Sequence, residues 1–243
     1  MYLEIIFYLL LVIVAFLYSS VGHGGASGYL ALMAVFSFAP DTMRPTALLL
    51  NIFVSFIAFV QYYRGDFFRW NLFWPFALTS VPAAFIGGMI AIEGGLYKKI
   101  LAVLLLFSVV RLLGIKFKTQ TFDVKQNIYL ALLIGVIIGL FSGMIGIGGG
   151  IILSPIILLM HWADMKRTAA VSALFIFVNS IAGFAGLFIQ GFEFKTEMGW
   201  MISLALIGGI AGSYFGANQF KNEFLNKILA LVLLLASVKL FFT

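Results

Sequence analysis

Two long runs without a charged residue constrain this chain more than any other feature of its sequence. They cover residues 5–40 and 126–163, and are 36 and 38 residues long. A membrane helix needs about 20 residues to cross the hydrocarbon core, so each run is too long for one helix and about right for two. A glycine-rich stretch lies in the middle of each run, at Val21–Gly28 and Gly143–Gly150, and there we expect the helix to break.

The glycines of these stretches predict a binding site at membrane depth. Glycine tolerates positive φ and close approach of other groups, and irregular backbone inside a bilayer survives only where protein or water surrounds it. A helix that restarts after a break presents free N–H groups and the positive end of its dipole, which favours an anion. We interpret the two breaks as halves of one substrate site, with these backbone positions: Gly22, Gly24, Gly25, Gly146, Gly148, Gly149 and Gly150.

The composition of the whole chain is that of an all-α polytopic membrane protein. Hydrophobic residues make up 63% of its 243 residues, charged residues make up 10%, and the mean hydropathy is +1.13. Such values are far outside the range of soluble domains. The chain has no cysteine, which excludes disulfides and thiolate metal sites. The net charge of +6 comes from Lys and Arg spread through short loops, so we expect a lipid bilayer and not nucleic acid as the partner.

The pattern of uncharged runs occurs twice, and matching residues support an internal repeat of roughly 120 residues. Gly22 matches Gly146, Met43 matches Met165, Lys99 matches Lys227 and Val110 matches Val238, at offsets of 124, 122, 128 and 128 residues. We therefore predict a first membrane repeat over residues 1–114, a connecting loop over 115–126 and a second repeat over 127–243. Each repeat holds about five helical segments and opens with a glycine-broken helix pair.

The distribution of positive charge predicts the orientation of the two repeats. If each broken pair counts as two segments, ten Lys and Arg residues fall on one side of the membrane and five on the other. If each pair is a single kinked crossing, the split is eight to seven. The positive-inside rule favours the first arrangement, which makes the repeats inverted and places both termini outside. Charge counting leaves open whether the pairs cross fully or re-enter.

Polar side chains within the predicted spans extend the candidate site. His23 lies in the first break, where it is either a hydrogen-bond donor or titrating group for a ligand, or a partner of a carbonyl freed by the break. Asn51 and Ser55 are four residues apart on one helix face, and Ser172 and Asn179 are seven apart on another. These four either bind substrate or join neighbouring helices. Arg44 flanks the site, either attracting anions or setting topology.

The positions of the acidic residues and the form of the glycine motif argue against an enzyme. Each of the nine Asp and Glu residues lies in a loop or near a segment end, so no paired carboxylates are expected at membrane depth. Gly146-Ile-Gly-Gly-Gly150 lacks the Lys-Ser/Thr ending of a nucleotide-binding loop. We expect no cofactor and no metal. Inverted repeats with discontinuous helices are typical of secondary transporters, with a passive anion channel as the alternative.

At these residues the chain resembles the sulfite exporter TauE/SafE family, also called the toluene sulfonate uptake permease family. The resemblance rests on Gly146-Ile-Gly-Gly-Gly150, on Lys-Arg-Thr-Ala-x-x-Ser from Lys166 to Ser172, and on a degenerate first copy in which Ala26 replaces the third glycine. It implies a permease of the bacterial inner membrane, often an exporter, for small sulfur-containing anions such as sulfite, sulfonates and sulfoacetate. Such a permease would couple transport to a proton or cation gradient or act as a facilitator.

Overall fold

The computed structural model describes residues 2–20, 24–114, 125–216 and 222–242, and helices dominate this part of the chain. Most of the predicted connecting loop, 115–126, lies outside the described residues. The ten helices have these bounds: α1 Tyr2–Ser20, α2 Ala26–Val35, α3 Pro40–Arg64, α4 Trp70–Met89, α5 Gly94–Gly114, α6 Ile128–Ile145, α7 Gly150–Leu159, α8 Met165–Phe188, α9 Thr196–Gly216 and α10 Asn222–Phe242. The prediction of an all-helical, polytopic membrane protein is confirmed.

Within the described residues, six helices are long and apolar enough to cross a bilayer: α1, α3, α4, α6, α8 and α9. The two helices that follow the breaks, α2 and α7, have only 10 residues each. At 1.5 Å per residue a 10-residue helix is about 15 Å long, half the thickness of the hydrocarbon core. Each broken pair therefore joins one long helix to one of half length, and not two helices of crossing length.

Aromatic contacts show that α2 returns towards the end of the molecule at which α1 begins. The ring of Phe7, in the second turn of α1, stacks on Phe38, with 4.9 Å between ring centroids. The same ring lies 5.3 Å from that of Phe36, the residue after α2. A single kinked crossing would put these rings at opposite ends of the molecule. The α1–α2 pair is therefore a re-entrant hairpin.

The second pair returns in the same way. Ile157 near the end of α7 and Ala163 just beyond it share a buried apolar cluster with Ala131, which is in the first turn of α6. Trp162 in this region also contacts the ring of Phe76 on α4, at 6.0 Å between centroids. Both glycine-broken pairs thus fold back on themselves.

Glycines bring helices of the two halves into backbone contact. Three glycines of α6 face three successive turns of α4 in the same order along both helices: Gly135 against Phe76, Gly139 against Ser80 and Gly143 against Ala84. Gly208 and Gly212 of α9 face Val12 and Phe16 of α1 in the same way. Small residues at such contacts let helices approach closely in lipid, where no hydrophobic effect drives their association. Two pairs of parallel helices, α4 with α6 and α1 with α9, therefore hold the two halves of the chain together.

Helix α3 packs against α8 and α5 against α10, and α3 and α8 run in opposite directions. On α3 and α8, Leu48 lies beside Gly183, whereas Phe56 contacts Phe177 further along α3 but earlier along α8. On α5 and α10, Ser237 Oγ donates a hydrogen bond of 2.9 Å to the carbonyl of Ala102. The central pair α3–α8 carries most of the polar side chains that the sequence singled out.

Candidate functional site

Both glycine breaks contain backbone conformations that favour glycine. In the first break Gly25 has φ of 91°. In the second, Gly146, Gly148 and Gly149 have φ of 88°, 69° and 78°. A residue with a Cβ would be strained at these positions. The last glycine of the motif, Gly150, is different, because it is already the first residue of α7, as Ala26 is of α2. Ala26 therefore does not disturb the first break.

The two breaks meet at the side chain of Asn51 on α3. A Cβ placed on Gly24 would lie 3.1 Å from Asn51 Oδ1, and one placed on Gly148 would lie 2.7 Å from Asn51 Nδ2. The amide of Asn51 thus lies between the backbones of the two breaks. The structure brings together one break from each half, as the hypothesis of a single shared site requires.

Asn51 is fully buried, and neither atom of its amide has a hydrogen-bond partner among the described residues. A buried amide without a partner loses several kcal/mol, about 2–7 depending on the reference state, relative to water. Nearly all buried polar groups in proteins are hydrogen-bonded. An unpartnered amide between two helix breaks is therefore the arrangement expected of a ligand-binding group.

Two further buried hydroxyls lie at the breaks and were missed by the sequence analysis. Ser180 Oγ on α8 is 3.2 Å from the position of a Cβ on Gly148, and the ring of Tyr29 covers Gly25. Both hydroxyl oxygens are buried and lack a partner in the part of the chain that the structure describes. Ser180 is two helical turns from Ser172, a spacing that would have revealed it; Tyr29 has no such signal.

The other predicted polar residues have different surroundings. Ser55 Oγ donates to the Asn51 carbonyl at 2.5 Å, and its Cβ lies beside Gly24, so it belongs to the meeting point. Ser172 shares a hydrogen bond of 2.8 Å with Ser154 in α7. Asn179 Nδ2 donates to the carbonyl of Phe175 at 2.8 Å, and its Oδ1 lacks a partner in the described chain. Of the three atoms nearest to a Cβ on Gly148, one belongs to Ser180 and none to Asn179.

Gly22 and His23 lie outside the described residues. The described part of the first break begins at Gly24, whose immediate neighbours are Ile176, Asn51 and Ser55. The interpretation of His23 therefore stays a prediction from the sequence.

Arg44 is buried at one end of the molecule and binds backbone carbonyls. Its Nε donates to Gly143 at 3.0 Å, and its Nη1 donates to Ile90 at 3.0 Å. Its Nη2 donates to Gly87 at 2.8 Å and to Gly88 at 2.6 Å. These carbonyls belong to the C-terminal ends of α4 and α6, where a positive charge is favourable. Arg44 therefore ties two helix ends together and is not a free loop charge.

A cavity of about 380 Å³ leads from the surface to Arg44. It lies between the starts of α3, α5 and α9 and the end of α8, and Tyr97 and Lys195 line it with Arg44. On its inner side, the backbone of Arg44 packs against Gly146, with its carbonyl 3.0 Å from the position of a Cβ on that glycine. Arg44 thus separates this vestibule from the second glycine break.

Paired re-entrant helices that meet at buried polar groups define a multi-pass membrane transport protein. The comparisons with known proteins give the family. The chain belongs to the sulfite exporter TauE/SafE family, whose model matches residues 7–240. The family resemblance predicted from the sequence is confirmed.

Relatives from distant organisms carry similar names. A probable membrane transporter protein of Sinorhizobium fredii is 31% identical over 232 residues, which is 94% of each chain. A probable membrane transporter protein of Methanocaldococcus jannaschii is 26% identical over 216 residues, covering 83% of this chain and 80% of the relative. Family and relatives alike are described as transporters, not as enzymes. No solved structure matches the chain.

Proposed function

We propose that this protein is a secondary transporter that carries small sulfur-containing anions across the bacterial inner membrane. The observation that carries the proposal is the convergence of two glycine breaks, one from each half, on the unpartnered amide of Asn51. Sulfite, sulfonates and sulfoacetate are the anions that the family's name and the resemblance support. Export is the proposed direction.

Charge and hydrogen bonding at the breaks support an anion. The first N–H groups of α2 and α7 have no acceptor within their helices, and a helix N-terminus carries about half a positive charge. Asn51 Nδ2 and Ser180 Oγ add donors beside Gly148. An oxyanion such as a sulfonate has several acceptor oxygens and would match this set of donors.

The packing supports alternating access through inverted repeats. The opposite directions of α3 and α8 fit two halves related by a two-fold axis in the membrane plane. The vestibule that ends at Arg44 supports access to the break from one side. We propose that rocking of the halves opens the breaks to one side at a time. His23, one residue before Gly24, is the proposed site of coupling to protons; proton dependence that survives His23→Gln would place the coupling elsewhere.

Flux into proteoliposomes tests this function and separates it from a passive channel. Purified protein is reconstituted, and uptake of sulfite and methanesulfonate is followed with and without a pH gradient. We expect saturable uptake that rises above equilibrium with the gradient and collapses when an uncoupler dissipates it. Flux that stays proportional to concentration and never exceeds equilibrium would identify a channel, and absence of flux for every anion would refute the proposal.

A pair of variants connects the flux to the site. Asn51→Ala should lower kcat/KM for the anion by about 10- to 100-fold, because a buried hydrogen bond to a charged group contributes roughly 1.5–3 kcal/mol. Ser80→Ala is the matched control, since Ser80 Oγ is also buried without a partner among the described residues but lies on α4 against Gly139. An equal fall of kcat/KM in the two variants would place the binding site elsewhere.

A further inference from the structure

One aliphatic side chain, Ile176 of α8, lies between the two glycine breaks. Its Cγ2 is 2.9 Å from the position of a Cβ on Gly24 and 2.8 Å from that on Gly148. Its outer atoms also cover Gly150 at the start of α7. The residue is 3% exposed, so its side chain is buried inside the protein.

The other side chains among the nearest neighbours of Gly24 and Gly148 are polar. Asn51 faces both breaks, Ser55 faces Gly24 and Ser180 faces Gly148. A ligand that hydrogen-bonds to the Asn51 amide and to the break backbones must share the remaining space with the Ile176 side chain. The shape of that side chain therefore sets how large a ligand can be.

We infer that Ile176 determines the size of the anion that this protein accepts. The inference rests on the proposed anion transport and deepens it. The charged head group of the anion binds at Asn51 and the breaks, and its substituent packs against Ile176. A small substituent fits against the intact side chain, whereas a larger one needs a shorter residue at this position.

A size-graded series of alkyl and aryl sulfonates tests this inference. Uptake of methanesulfonate, ethanesulfonate, butanesulfonate and benzenesulfonate is measured in proteoliposomes for the wild type, Ile176→Val and Ile176→Ala. The readout is the ratio of kcat/KM for butanesulfonate to that for methanesulfonate. We expect Ile176→Ala to raise this ratio about tenfold or more and Ile176→Val to raise it less, because one methylene group in an apolar pocket changes discrimination by about 10- to 200-fold.

The ratio of the kcat/KM values for two substrates, measured on one preparation, does not depend on how much of the protein has folded. Ile157→Ala is the matched control, because Ile157 is equally buried but lies in the apolar cluster of α4, α7 and α8. It should leave the ratio unchanged, and Ile176→Met, which conserves volume, should do the same. If the wild type is active and both shortened variants leave the ratio unchanged, the role of Ile176 is overturned but the proposed function is not. A wild type that carries neither sulfite nor any of the four sulfonates would overturn the proposed function, and this inference with it.

Discussion

At the scale of single residues, neighbouring glycines of one break face different surroundings. A Cβ on Gly148 would point at Asn51 Nδ2 and Ile176, the meeting point of the breaks. A Cβ on Gly149 would point at Ile138 and Phe175, which belong to an apolar cluster. Both residues have positive φ. We therefore expect the motif to serve binding at Gly148 and folding at Gly149.

Alanine at each position separates these roles. Both variants should lose about 1–2 kcal/mol of stability, because a Cβ at positive φ crowds the carbonyl oxygen. Gly148→Ala should in addition abolish anion uptake, since its methyl group would occupy the ligand's space. Gly149→Ala should retain the KM of the wild type in the fraction that folds. Melting temperature and uptake kinetics on the same preparations check this, and an unchanged KM in Gly148→Ala would remove that glycine from the site.

At the scale of helices, the sequence was informative where local composition decides the outcome. Run lengths and glycine positions predicted the two breaks, which lie before α2 and α7. The half length of α2 and α7 was not predictable, because counting residues does not reveal where a chain leaves the membrane. Ile176 was missed because its importance depends on which side of α8 faces the breaks, whereas Ser180 had a signal in its spacing from Ser172.

The crossing of α4 and α6 provides a prediction at this scale. Gly139→Ala would push a methyl group into the backbone of Ser80, which is a carbonyl of another helix and cannot rotate away. We expect the helices to separate and stability to fall by about 1–3 kcal/mol. Gly199→Ala is the control, because its nearest neighbour is a Phe194 ring atom at 3.9 Å. Melting temperatures measured in detergent test this expectation. Equal values for the two variants would contradict the close-packing interpretation.

At the scale of the whole molecule, the start of α1 and the end of α10 lie on the same side. Lys239, in the last turn of α10, donates hydrogen bonds to the Val35 carbonyl at 2.6 Å and to Ser37 Oγ at 2.7 Å. Val35 ends α2, and the residues after it contact Phe7 near the start of α1. The even total of ten helices in the described chain, in which each glycine-broken pair counts as two, produces this arrangement.

The excess of positive charge predicts which side that is. The count from the sequence places ten of the fifteen Lys and Arg residues on the opposite side, and by the positive-inside rule we expect that side to face the cytoplasm. A reporter that works only in the cytoplasm should therefore be inactive when fused after Thr243 and active when inserted in the loop between the repeats. An active reporter at Thr243 would contradict the predicted orientation.

The hydrogen bonds of Arg44 have a consequence for how the protein is made. Its acceptor Gly143 is 99 residues further along the chain, so α3 is synthesised well before α6 exists. Until α6 docks, the Nε of the guanidinium lacks its carbonyl acceptor, and a charged group with an unsatisfied donor is costly inside a bilayer. The first half of the chain must therefore keep this side chain near water or lipid head groups. Dehydration of one arginine then becomes a late event in biogenesis, reached only when the second half has been inserted beside the first.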